Sequence, residues 1–123
     1  MNWWLVTAGV TALICAAGHA FAGRNMFYLP MKAAIKDSLH AGVLTGMWHL
    51  ITINFTLSAV ALLMLGAIGG PAAMAWFVAV QFAGYAAAYL AISLFLGGAL
   101  KLFQWILFGG TAILASAGAL GAH

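Results

Sequence analysis

Apolar residues run almost without interruption along this chain, and its polar residues fall in a few places. Four stretches, at about Trp3–Ala22, Ala41–Leu65, Ala73–Leu96 and Leu102–Leu120, are apolar enough to be read as helices. Each approaches the roughly 20 residues that a helix needs to cross a hydrocarbon core. The polar segment Gly23–His40 separates the first two. Within it, Pro30 can start a short helix, and Lys32 and Lys36 fall four apart on one face, which predicts an interfacial helix. The second connection, Gly66-Ala67-Ile68-Gly69-Gly70-Pro71, is an uncharged turn, and the third, around Gly97-Gly98-Ala99, carries Lys101. Connections this short predict antiparallel neighbours. The expected fold is therefore a single all-α integral membrane domain over residues 1–123. It is an antiparallel four-transmembrane-helix bundle with a short interfacial helix between helices 1 and 2.

Composition supports this reading. Of 123 residues, 67% are hydrophobic and 4% charged, which excludes the soluble classes, in which about a quarter of residues are charged. Asp37 is the one acidic residue, so mechanisms built on paired carboxylates or on a carboxylate within the membrane are excluded. Four cations are too few and too scattered for a nucleic-acid surface. The single cysteine, Cys15, supports neither an internal disulfide nor a cysteine metal cluster.

The cations also set an orientation, because Lys and Arg in short loops stay cytoplasmic. Arg24, Lys32 and Lys36 flank the first connection and Lys101 the third, so both termini are expected outside, in a bacterial inner membrane. Trp3, Trp4, Trp76 and Trp105 near the helix ends fit aromatic belts. Ala20-Phe21-Ala22 also fits a signal-peptide cleavage pattern, but the uncharged leader Met1-Asn2 and the length of the apolar stretch favour a retained helix.

Polar residues in lipid turn inward, so their spacing predicts the bundle interior. Thr7, Thr11, Cys15 and His19 form one stripe, and His49, Thr52 and Thr56 a second, while Asn54 and Ser58 lie on another face of the same helix. Gln81, Tyr85, Tyr89 and Ser93 form a third, and Gln104 and Thr111 a fourth. Most Ser and Thr positions are expected to serve helix packing, as are Gly9, Gly84, Gly110 and Gly118. His40 and His123 are expected in solvent.

Counting depth along the helices places His19, His49, Tyr89 and Gln104 in one half of the bundle. Imidazole, phenol and amide groups there can bind a polar headgroup, a quinone, a metal or a haem. Joint haem ligation by His19 and His49 is awkward at their unequal depths. The residues name neither a cofactor nor a reaction.

Three compact membrane families offer comparisons, of which DoxX-like proteins resemble this chain only in helix count. Small multidrug-resistance exporters share the helix count, but their coupling carboxylate in the first helix has no counterpart here. Fluoride channels are similar in size, in an Arg after the first helix, as Arg24 follows Gly18-His19-Ala20-Phe21-Ala22-Gly23, and in an Asn in the second, as Asn54 is. Their Thr- and Phe-rich break is absent from Phe77–Phe95, and no functional residue is carried over. The expected role is a binding or accessory subunit of a larger membrane assembly, partnered by lipid and by other membrane subunits or further copies of itself. The alternatives are a redox or lipid-handling protein using the His19, His49, Tyr89 and Gln104 site, and a small channel or transporter protomer.

Overall fold

A computed structural model describes residues 1–121, so His123 lies outside the described residues. The chain is all-helical, with no strand among the described residues. Its elements are α1 (Trp3–Ala17), a π-helical segment (Gly18–Tyr28), α2 (Leu29–Ala34), α3 (Ser38–Ile68), α4 (Ala72–Phe95) and α5 (Gln104–Leu120). Among the described residues three helical runs, Trp3–Ala34, Ser38–Ile68 and Ala72–Phe95, are long and apolar enough to cross a membrane, and α5 is a shorter apolar helix.

The first connection departs from the expected interfacial helix. A short helix does form with Pro30 in its first turn, but it is not separate, because α1, the π segment and α2 make one helical run of 32 residues. A proline lacks the N–H for an α-helical bond, and its ring crowds the carbonyl four residues earlier. Here Leu29 N–H bonds the carbonyl of Arg24, five residues back, so the turn ahead of Pro30 is widened and the helix passes through the proline. The break comes at Ile35, where the backbone becomes extended. Asp37 then caps α3, its Oδ1 accepting from His40 N–H at 2.9 Å and lying 2.7 Å from the His40 ring. These contacts, the backbone N–H first, hold the Asp37 carboxyl below its ordinary range. Helix α3 therefore begins before Ala41, where apolar patterning alone started it.

Helix α1 lies between α3 and α5, α4 packs chiefly on α5, and α3 and α4 touch little. Small residues explain the central position of α1. Ala8 and Ala12 are fully buried, and at Gly9, Gly66 and Gly118 an added Cβ would meet Leu63, Val6 and Leu5 respectively within 3 Å. Backbones can approach this closely only where side chains are nearly absent. Asn2 fixes one end of the bundle, donating from its backbone N–H to Gly66 O at 2.7 Å and from its amide to Gly118 O at 2.8 Å. Where α3 and α4 diverge, aromatic rings fill the space: Phe55 lies 5.8 Å from Phe82 and 5.4 Å from Phe108. Tyr85 packs edge-on against Phe55 and Phe108.

Candidate functional site

Of the predicted inward stripes, Ser93 and Thr111 are fully buried and Tyr85 and Tyr89 pack partly buried against the core, whereas Gln81 and Gln104 are half-buried and Thr7 on α1 is exposed. On α3 the expectation fails. The buried face carries Phe55, Ser58, Ala59, Leu62 and Leu65, whereas His49 and Thr56 are exposed. His49 stands six residues from Phe55, about 120° away around the helix. Of the second polar stripe on this helix, Ser58 is buried beside Phe55, whereas Asn54 is exposed.

The four candidate residues occupy different surroundings. His19, half-buried in the π segment, stacks on the Trp48 ring at 3.8 Å and has Phe55 at its edge. Its Nε2 lies 3.2 Å from the Trp48 carbonyl, which can only accept, so that nitrogen carries the proton. Tyr89 packs edge-on against Phe108 at 5.3 Å. Gln104 opens α5, and its Oε1 is buried without a hydrogen-bond partner among the described residues. No hydrogen bond or ring contact among the described residues joins any two of these four. No group of three His, Cys, Asp or Glu among them is placed to hold a metal ion.

His49 instead lines a groove of about 420 Å³ between the π segment, α2 and the first half of α3. Arg24, Tyr28, Lys32, Thr45, Trp48 and Thr52 line it as well. A directed chain of hydrogen bonds shapes one wall. Thr45 Oγ1 donates to the Ala41 carbonyl at 2.8 Å, so the Tyr28 hydroxyl donates to Thr45 at 2.9 Å and accepts from Lys32 Nζ at 3.2 Å. One of the three ammonium protons of Lys32 is thereby used. Among the described residues the lining contains no carboxylate, and the chain's one acidic side chain, Asp37, is engaged by His40. The i, i+4, i+8 spacing of Arg24, Tyr28 and Lys32 is visible in the sequence. Their meeting with Thr45 and His49 depends on how α3 docks, which local spacing does not carry.

A second polar cluster bridges α3 and α4. Asn54 Oδ1 accepts from the Gln81 amide and from the Tyr85 hydroxyl, the latter at 2.8 Å, and the Gln81 amide lies 3.4 Å from Ser58 Oγ. Asn54 is exposed, so the cluster opens onto the outside of the bundle between two helices that otherwise touch little. Comparison with protein-family models, curated proteins and solved structures finds no match.

Proposed function

We propose that this chain is an integral membrane protein whose four helices cross the bilayer in alternating directions, serving as a binding or accessory subunit of a larger membrane assembly. Both termini lie outside, and Arg24, Lys32, Lys36 and Lys101 lie on the cytoplasmic side, in the inner membrane of a bacterium. The observation that carries the subunit reading is the outward-opening amide cluster. At about 1.5 Å per residue Asn54 lies about 18 Å along α3 from Gly66, near the middle of a hydrocarbon core about 30 Å thick. The exposed Asn54 amide at that depth lacks water to bond, and a helix of a neighbouring subunit supplies what lipid does not.

The test replaces both amides, as Asn54→Leu with Gln81→Leu, and compares native mass after mild extraction from the membrane. Interhelical bonds of this kind contribute roughly 0.6–2 kcal/mol each, so the double variant is expected to insert normally and yet migrate as a smaller species. Wild type and variant migrating alike at monomer mass would overturn the subunit reading.

A second reading, a redox or lipid-handling protein, is favoured by the buried, unpartnered Oε1 of Gln104. A buried acceptor without a donor costs stability unless a ligand hydroxyl or water supplies one. Visible absorbance and extraction of small molecules from the purified protein distinguish this reading, which requires a co-purifying ligand that Gln104→Leu abolishes.

A further inference from the structure

In the groove beside His49 two cations line the same concave surface as hydroxyl and imidazole groups, and the subunit reading does not account for it. Arg24 and Lys32 come from the π segment and α2, and Thr45, His49 and Thr52 from α3, so the site exists only when the two long helical runs are docked. The Tyr28 relay holds the Lys32 ammonium against the groove wall and leaves two of its protons to serve a ligand. The Arg24 guanidinium makes a single long bond, 3.4 Å, to its neighbour Asn25 and keeps the rest of its donor fork. Donors and positive charge without a carboxylate select an anion with several acceptor oxygens.

Its level along the helices narrows the class of ligand. Arg24 lies 22 residues beyond Asn2, which places the groove about 30 Å from the opposite end of the bundle, where headgroups meet hydrocarbon. The apolar side chains of Ala20 and Leu29 belong to the same lining, and the exposed Phe21, Met47 and Leu50 adjoin it in sequence. Basic pockets between helices on the cytoplasmic side are suited to anionic lipid headgroups.

We infer that this groove binds a phosphate group, carried on a lipid as a phosphomonoester headgroup, with Arg24 and Lys32 pairing its oxygens and His49, Thr45 and Thr52 bordering it. This rests on membrane insertion but not on the subunit reading, because a monomer contains the whole groove.

Native mass spectrometry of the full chain in neutral detergent tests it, with dioleoyl phosphatidate, dioleoyl phosphatidylcholine and inorganic phosphate added in separate arms. Phosphatidate is expected to be retained at least about tenfold better than phosphatidylcholine, and Arg24→Gln with Lys32→Gln to remove that preference. Lys101→Gln, which removes a cation outside the groove, is expected to leave the preference intact. Competition by millimolar inorganic phosphate would assign the site to free phosphate, whereas its failure to compete assigns it to lipid. Equal retention of the two lipids by wild type, with no effect of inorganic phosphate, overturns the proposal without requiring any variant to fold. So does a phosphatidate preference that survives in the double variant or is lost equally in Lys101→Gln.

Discussion

At Gly66 an added Cβ would lie 2.8 Å from the backbone nitrogen of Val6 and 3.0 Å from the carbonyl oxygen of Asn2. Those atoms belong to the first turn of α1 and its cap, so they cannot move aside without shifting the helix. At Gly84 nothing lies within 4 Å of the same position. Both glycines are in helices of the same apolar character, yet the two alanine substitutions are expected to have opposite signs. Gly66→Ala destabilises by about 1–3 kcal/mol through overpacking. Gly84→Ala stabilises by up to about 1 kcal/mol through helix propensity. Thermal unfolding in detergent, followed by circular dichroism, checks both, and equal shifts would contradict the packing described at α1. Gly9, Gly84, Gly110 and Gly118 looked alike as small residues in the sequence. Only Gly9 and Gly118 of that set prove to be close approaches, because the partner is set by helix docking rather than by the glycine.

Among the elements, the α4–α5 hairpin turns on one hydroxyl. Ser93 is fully buried, donates to the Gly98 carbonyl at 2.7 Å and accepts from Leu102 N–H at 3.0 Å, tying the end of α4 to both sides of the turn. Ser93→Ala leaves a donor and an acceptor without that partner and is expected to cost about 1–3 kcal/mol. Ser116→Ala, which removes only a bond to the preceding turn of its own helix, is expected to change stability by less than about 0.5 kcal/mol. Comparable losses in the two variants would sink the argument. Ser93 was legible as an inward residue because it continues the stripe of Gln81, Tyr85 and Tyr89, though its role in the turn was not. The four apolar helices were legible as well, since apolar runs of this length have few alternatives. Two features were not. Continuity of α1 into α2 depends on widened turns ahead of Pro30, and the exposed setting of His49 depends on which face of α3 the aromatic core takes.

For the whole molecule, the cations predict a single cytoplasmic side. Cysteines introduced singly at Lys32 and Lys101, in a Cys15→Ser background, are expected to be protected from a membrane-impermeant thiol reagent in intact cells. One introduced at Gly70 is expected to react. The reverse pattern would invert the orientation and place the groove on the outside. Spacing in the sequence paired Lys32 with Lys36 and passed over Tyr28, and the groove that Arg24, Tyr28 and Lys32 line needs residues more than a dozen positions further along the chain.

The helical runs differ in height. Trp3–Ala34 and Ser38–Ile68 have 32 and 31 residues, whereas α5 has 17. At the ordinary rise per residue α3 is about 46 Å tall and α5 about 26 Å, against a hydrocarbon thickness of about 30 Å. In the membrane setting proposed above, one flank of the molecule would exceed the bilayer and the other fall short, a mismatch to be met on two sides in opposite senses. Lipid beside α5 would be drawn thinner, while the tall flank would tilt or carry its end into the headgroups. In that setting a protein of this outline would act as a wedge in membrane thickness, favouring thin bilayers on one side.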